Sequence, residues 1–447
     1  MPVVSPVVVM LPVQQLTFSG LSKSSHQLEQ VTTRFTQTAD VFQPLTPRSV
    51  RFSSALPDKS LLMAEIKEQP QALQQLIDHF PAQFSQLNLP KTPPKNLVMI
   101  GEGSSKNALD IASDYVSMFT GLPVKTVLPA TFEQYFPLQT QYQDITKSPV
   151  MTEGLFVALS QSGKSASTLR AVEPLAKYYQ VTQNAMPFVS MTNNPSAQLA
   201  SLYGNHMYLH AGDENSIAAT KSMTNSIMSA LLFGLFYGQQ NGRTANQKAL
   251  DELTQLPQKL DGFLKDDGTH QALKQFTQQL AGHNQFVLLS NGPFAHILPE
   301  AGLKMTETSS NVVLGYNTES FKHGPKVILD KQPAVLYMIP PGLNAKESET
   351  FFADVQEHFK GNPNQPFNKS KTYFVRYENS PELPATIRKE FALNDEKIVT
   401  LPASKSFTGA IESQFLGIVT AQLLSYYLAE AKGVNPNHPA LSKAVTK

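Results

Sequence analysis

Short apolar runs alternate with amphipathic stretches through most of this chain. NLVMIGEGSSKNALDIASDYVSMF (96–119) reads as an apolar strand, a Gly-Ser loop and an amphipathic helix, and GLFVALSQSGKSASTLRAVEPLAKYY (154–179) repeats the pattern. PFVSM (187–191) and HMYL (206–209) are short enough and apolar enough for buried strands of a parallel sheet. A long apolar helix is predicted from about 217 to 238, followed by polar, helical connecting sequence over 241–270. The alternation then resumes: NQFVLLSNGP (284–293) is strand plus loop, a helix follows through 300–307, and AVLYMIPP (334–341), KTYFVRYE (371–378) and EKIVTLPA (396–403) supply strands. A closing helix is predicted from about 409 to 431, with Gly433 as its C′ residue.

Strand–helix alternation, twice over, predicts an α/β protein with two doubly wound parallel-sheet domains in tandem. The expected boundaries are a loosely ordered extension over 1–58, a first domain at 59–240, the connector at 241–270, a second domain at 271–433 and a tail at 434–447. The first domain opens on a helical segment (59–80) that Pro70 ends or kinks.

At 447 residues the chain is long enough for two or three such cores. Its 36 Lys and Arg nearly balance 35 Asp and Glu, which argues against a polyanion-binding field and hence against nucleic acid as partner. The absence of cysteine excludes disulfides, thiolate metal sites and a cysteine nucleophile, and fits a cytoplasmic setting. No apolar run reaches the roughly 18 residues that span a bilayer. The N-terminal stretch MPVVSPVVVMLPV is interrupted by three prolines and lacks a basic start, unlike a signal peptide.

The chemistry concentrates between Glu300 and Pro325. Glu300, Lys304 and Glu307 fall at i, i+4 and i+7, so two carboxylates and an amine share one helix face. His323 follows beside a Gly-Pro turn. Carboxylate, amine and imidazole are the groups that move protons around a carbonyl, although the same spacing also describes an exposed Glu–Lys pair.

Two loops between strand and helix are rich in small donors. Gly101–Ser105 lacks the third glycine of a dinucleotide fingerprint, Lys106 standing there, and Ser160–Ser165 lacks the first glycine of a Walker A loop, Ala158 standing there. Both loops nonetheless offer Ser hydroxyls and free N–H groups at a helix N-terminus. Ser104, Ser105, Ser160, Ser162 and Ser165 are thus candidates for cradling one phosphate.

LSQSGKSASTL (159–169) resembles the phosphosugar loop of sugar isomerase (SIS) domains. EAGLKMTE followed by FKHGP, together with AGDENSIAATKSMTN (211–225), MAEIKEQPQAL (63–73) and the end LLSYYLAEAKGVNPNHPALSKAVTK, is similar to the isomerase half of the glucosamine-6-phosphate synthase family. The resemblance covers roughly 60–447 and implies sugar-phosphate contacts from Ser104, Ser105, Ser160, Gln161, Ser162 and Ser165. It further implies that Glu307 shuttles a proton between C1 and C2, with Lys304 and Glu300 as neighbours on its helix and Lys304 stabilising oxyanion charge. His323 would open the sugar ring of the adjacent subunit, which implies a homodimer with shared sites, and Lys443 would form a Schiff base with the ketose. Glu214 and Ala219 would lie in the loop over the sugar.

The chain also departs from that family. Pro2 follows Met1 and no cysteine is present, so nitrogen is expected as free ammonia or from a separate glutaminase chain. Lys164 stands where the family usually carries an acid, Ser165 replaces a threonine and Ala219 a serine. The expectation is an enzyme that interconverts fructose 6-phosphate and glucosamine 6-phosphate without metal or cofactor. A deglycase or deaminase of amino-sugar or fructosamine phosphates is the alternative, and a non-catalytic sugar-phosphate sensor the third reading.

Overall fold

The computed structural model describes residues 60–90, 93–134, 153–182, 187–202, 204–244 and 246–437. The expected 1–58 extension and residues 438–447 of the expected tail, Lys443 among them, lie outside them. Among the described residues ten strands form two five-stranded parallel sheets. The first contains β1 Asn96–Gly101, β2 Val124–Val127, β3 Gly154–Leu159, β4 Phe188–Thr192 and β5 His206–Tyr208. The second contains β6 Gln285–Ser290, β7 Val312–Asn317, β8 Ala334–Met338, β9 Thr372–Tyr377 and β10 Ile398–Leu401. Their strand orders are β2-β1-β3-β4-β5 and β10-β9-β8-β6-β7, which is the same topology used twice. The chain is therefore α/β with two tandem doubly wound sheets, as its periodicity predicts.

Among the described residues, the helices of eight residues or more are α1 Ser60–Lys67, α2 Gln69–Ser85, α3 Ser104–Thr120, α4 Ala166–Thr182, α5 Lys221–Gln240, α6 Gln247–Lys265, α7 Asp267–Leu280, α8 Leu298–Ser309, α9 Ala345–Glu357 and α10 Ala410–Ala431. Pro70 sits in the first turn of α2, where its missing N–H costs nothing, and so divides the predicted 59–80 helix in two. The stretch 241–270 holds α6, and its far boundary falls inside α7. Gly433 has φ +69°, its N–H reaches Glu430 O at 2.9 Å, and Val434 N–H reaches Ala429 O at 2.9 Å, the paired bonds of a Schellman cap on α10.

Burial on both sheet faces explains the unbroken apolar runs. Leu97, Met99, Leu155 and Val157 join Phe286, Leu288, Leu336 and Val375 in one core shared by the two sheets. The alternate positions face outward, Val98, Ile100 and Phe156 into one cluster and Val287, Leu289 and Val335 into another. Helices α5 and α10 are buried almost all round, which is why they read as apolar without a stripe.

The sequence reading lacks two strands, β2 and β7. Both are edges, and only one residue of β2 and none of β7 is buried, so neither stands out as an apolar run. Among the described residues no helix is long and apolar enough to cross a membrane.

Candidate active site

In a parallel sheet of order 2-1-3-4-5 the chain leaves β1 and β3 in opposite directions, and a crevice opens at their carboxyl ends. Here that crevice is a cavity of about 670 Å³. Its walls are the first turn of α3, with Ser104 and Ser105, and the loop after β3, with Ser160, Gln161, Ser162 and Ser165. The segment 212–219 crosses above it, contributing Glu214 and Ala219. Leu303 and Glu307 of α8 enter from the second half of the chain. Of the thirteen residues singled out in sequence, nine therefore line one cavity: Ser104, Ser105, Ser160, Gln161, Ser162, Ser165, Glu214, Ala219 and Glu307.

The β3 loop turns sharply: Gly163 N–H returns to Ser160 O at 3.0 Å, and Lys164 N–H reaches Ser162 Oγ at 3.2 Å. Gly163 has φ +62°, and a Cβ there would stand 2.5 Å from that of Ala197, so the turn demands glycine. Ser165 O accepts from Leu169 N–H at 3.0 Å, opening α4 and aiming its first N–H groups at the crevice.

Glu300 and Lys304 are buried behind Glu307. Glu300 accepts from Ser104 Oγ at 2.9 Å and from Asn107 Nδ2 at 2.7 Å, which binds α8 to α3. Lys304 Nζ lies 3.0 Å from Glu300 Oε1, 2.8 Å from Glu307 Oε2 and 3.1 Å from Ser104 Oγ. An ammonium has three donors, and these oxygens take them. In this arrangement Lys304 has no spare donor, its three contacts being Glu300, Glu307 and Ser104, whereas the sequence-based expectation is that it stabilises oxyanion charge. It is also no exposed Glu–Lys pair, since its side chain is only 1% exposed.

Burial alone would lower the Lys304 pKa, but the Glu300 and Glu307 carboxylates outweigh it and hold the amine above its ordinary value. Glu307, 26% exposed at the cavity wall, is pushed above the usual carboxylate range by burial, against the pull of Lys304 and with help from the Glu300 and Glu214 charges. Glu214 is pinned at the N-terminus of α5, accepting from Thr220 N–H at 2.8 Å and Thr220 Oγ1 at 2.9 Å, and from the Ser222 hydroxyl.

His323 is not in the cavity. It follows the short helix Thr318–Lys322, its side chain is 74% exposed, and Nε2 lies 3.2 Å from Glu319 Oε1. Closeness in sequence to Glu307 does not bring it to Glu307 within this chain, because β7 intervenes.

Several contributors escape sequence reading. Glu65 of α1 is buried, and its carboxylate takes Asn215 N–H at 2.5 Å and Ser216 N–H at 3.0 Å, clamping the segment above the cavity. Asn193, after β4, holds the same segment through Ala211 N–H at 2.9 Å and Gly212 O at 2.7 Å. Asn107 carries a signal in hindsight, lying three residues after Ser104 and so on the same face of α3. Glu65 carries none, since its partners are 150 residues away.

Residues 130–235 match the SIS domain family. The chain is 26% identical over 399 residues to the glutamine–fructose-6-phosphate aminotransferase of Symbiobacterium thermophilum, covering 86% of this chain and 58% of that protein. It therefore spans about three fifths of that relative. Among solved structures, the C-terminal domain of glucosamine-fructose-6-phosphate aminotransferase from Francisella tularensis aligns with a TM-score of 0.63 at 20% identity, covering 87% of this chain and all of that one. A glucosamine-6-phosphate deaminase from Thermotoga maritima aligns with a TM-score of 0.56 at 19% identity, covering 87% of this chain and 99% of that one. Topology and comparisons agree on the fold: two tandem doubly wound sheets, with an SIS domain match over 130–235 and similarity to the C-terminal domain of glucosamine-fructose-6-phosphate aminotransferase.

Proposed function

We propose that the chain is an aldose–ketose isomerase of hexose 6-phosphates that interconverts fructose 6-phosphate and glucosamine 6-phosphate, using free ammonia or ammonia from a separate glutaminase. The observation that carries this reading is Glu307. A carboxylate held above its usual pKa faces a serine-rich anion loop across a cavity of about 670 Å³. The loops at β1 and β3 would hold the phosphate through hydroxyl and N–H donors. Glu307 would take the proton from one of C1 and C2 and return it to the other. Lys304 and Glu300 would keep its carboxylate aimed.

Ammonia would condense at the ketose C2 with loss of water, and proton transfer from C1 to C2 would convert that imine into the amino aldose. In this reading Lys443 activates C2 as an imine of its own, which ammonia displaces. His323, exposed and outside this chain's cavity, would serve ring opening in a second copy. The exposed Val312 and Leu314 on edge strand β7 support a partner at that face of the second half. A deaminase running the same chemistry in reverse is the second reading, supported by the similarity to the Thermotoga protein.

The test is incubation with fructose 6-phosphate and ammonium, assaying glucosamine 6-phosphate in both directions, with borohydride trapping of the wild type and Lys443→Ala. Formation of the amino sugar, and trapping lost in the variant, are expected. Sugar-phosphate binding without turnover would instead favour a sensor. Turnover on fructosamine-type phosphates alone would favour a deglycase.

A further inference from the structure

Glu102 has no place in the chemistry above, yet it sits at the mouth of the phosphate seat. It directly precedes Gly103, the N-cap of α3, and its carbonyl accepts Ser105 N–H at 3.1 Å. Its side chain reaches across to the other wall, where Glu102 Oε2 accepts from Ser167 Oγ at 3.2 Å. Ser167 lies in the first turn of α4, and its hydroxyl is 3.1 Å from that of Ser165. The carboxylate therefore stands between the N-termini of two 17-residue helices, where free N–H groups and both helix dipoles favour an anion. The charge around it sharpens the point. Among the described residues lining the cavity, Lys164 is the single Lys or Arg, against Glu102, Asp213, Glu214 and Glu307.

We infer that Glu102 stands in the anion position between the two serine loops, a built-in competitor that a phosphate must displace. The inference rests on the proposed reading that the serine loops hold phosphate. Its physical content is a trade. The carboxylate uses the Ser167 hydroxyl and the two helix dipoles. When a phosphate enters, the carboxylate gives up that hydrogen bond and two like charges face each other at close range. Affinity for the phosphate alone is thereby held down, so that retention depends on contacts to the rest of the sugar, and product leaves readily. Glu102 thus sets how far the site discriminates a hexose phosphate from inorganic phosphate that it would otherwise admit.

The test measures binding of inorganic phosphate and of fructose 6-phosphate to the full chain by calorimetry, for wild type, Glu102→Gln and Ser167→Ala. Glu102 is exposed, so its replacement leaves the fold unchanged. Glu102→Gln is expected to bind inorganic phosphate on the order of tenfold more tightly at low salt, with a smaller gain for fructose 6-phosphate. The gain shrinks at roughly 0.5 M salt, because it is a charge effect at a solvent-facing group. Ser167→Ala, which frees the carboxylate without removing it, is expected to fall between the two. Unchanged or weaker phosphate binding by Glu102→Gln, with wild-type binding measurable, overturns this inference and leaves the proposed function standing. If neither ligand binds wild type or variants, the reading of the serine loops as a phosphate seat fails, and this inference with it.

Discussion

Replacing Lys304 by Met tests the physical core of the site without touching the cavity wall. The variant keeps a long unbranched side chain in a position that is 1% exposed, so volume changes little. What changes is charge: the Glu300 and Glu307 oxygens at 3.0 and 2.8 Å lose their cation. Removing one partner of a buried ion pair costs about 3–5 kcal/mol, because it strands a desolvated charge. Here part of the loss is recovered, since Glu300 keeps Ser104 Oγ and Asn107 Nδ2 and either carboxyl can take up a proton.

That proton fixes the pH dependence. Glu307 already titrates above the usual carboxylate range, and without Lys304 it moves further up. A carboxyl whose folded pKa exceeds its unfolded value weakens the fold progressively as pH rises from about 4.5 through the folded value. Lys304 itself is an amine raised above 10.5, so in the wild type its contribution is fully present at every pH below that. The variant should therefore trail the wild type by about 3–5 kcal/mol at pH near 8 and by less than half of that near pH 5. Urea unfolding followed by far-ultraviolet circular dichroism at the two pH values measures both gaps. An equal deficit at both, or a deficit below about 1 kcal/mol at pH near 8, would refute the account of a charge triad and leave only a packed side chain.

Glu307→Gln should lower isomerisation by roughly 10²–10⁴-fold while leaving hexose-phosphate affinity within a few fold, as calorimetry beside a turnover assay would reveal. Because the base must be ionised, the wild-type rate should rise with pH on a limb displaced above the usual carboxylate range; a limb at the ordinary value contradicts the shift assigned to Glu307. Gly163→Ala forces a Cβ into a residue at φ +62° and within 2.5 Å of Ala197 Cβ, so it should cost at least about 1–2 kcal/mol and weaken phosphate binding, both measurable by thermal shift with and without ligand. Glu65→Ala removes the carboxylate that accepts from Asn215 and Ser216 N–H, at about 1 kcal/mol for each hydrogen bond since Asn215 is exposed and Ser216 half-buried, and hydrogen exchange at those two amides should accelerate; unchanged protection would show that the clamp is unimportant.

What could be read in advance follows from which interactions are local. Eight of the ten strands announce themselves because both faces of each sheet are covered, making them continuous apolar runs. β2 and β7 do not, because an edge strand with half-exposed residues has little hydrophobic contrast with a loop. The Glu300–Lys304–Glu307 face is legible because helical spacing is local, but its burial is not, since Ser104 and Asn107 lie some 200 residues away. His323 lies close to Glu307 in sequence, and the intervening β7 carries its imidazole to the surface, outside this chain's cavity; its expected role in an adjacent subunit's site depends on a second copy and so cannot be read from local spacing.

The repeated topology offers two equivalent crevices, and among the described residues the proposed anion seat falls in the first. Strands β1 and β6 hold equivalent places, as do β3 and β8, so a second crevice would be expected beyond β6 and β8. The loops there differ in their donors. After β6 comes Asn291-Gly292-Pro293-Phe294, and after β8 comes Ile339-Pro340-Pro341-Gly342. Three prolines remove three backbone N–H groups where the first half has Gly and Ser, and the buried Phe294 ring takes the place of a hydroxyl. Without those donors the second switch point has little with which to hold a phosphate. The helix that follows it, α8, is the counterpart of α3, and it is bonded to α3 through Glu300, Ser104 and Asn107. The second half thus contributes through that helix instead of through its own crevice. In the proposed reading one repeat supplies the donors for binding and the other the carboxylate for proton transfer, while the buried charge triad joins the two and holds Glu307 at the cavity wall.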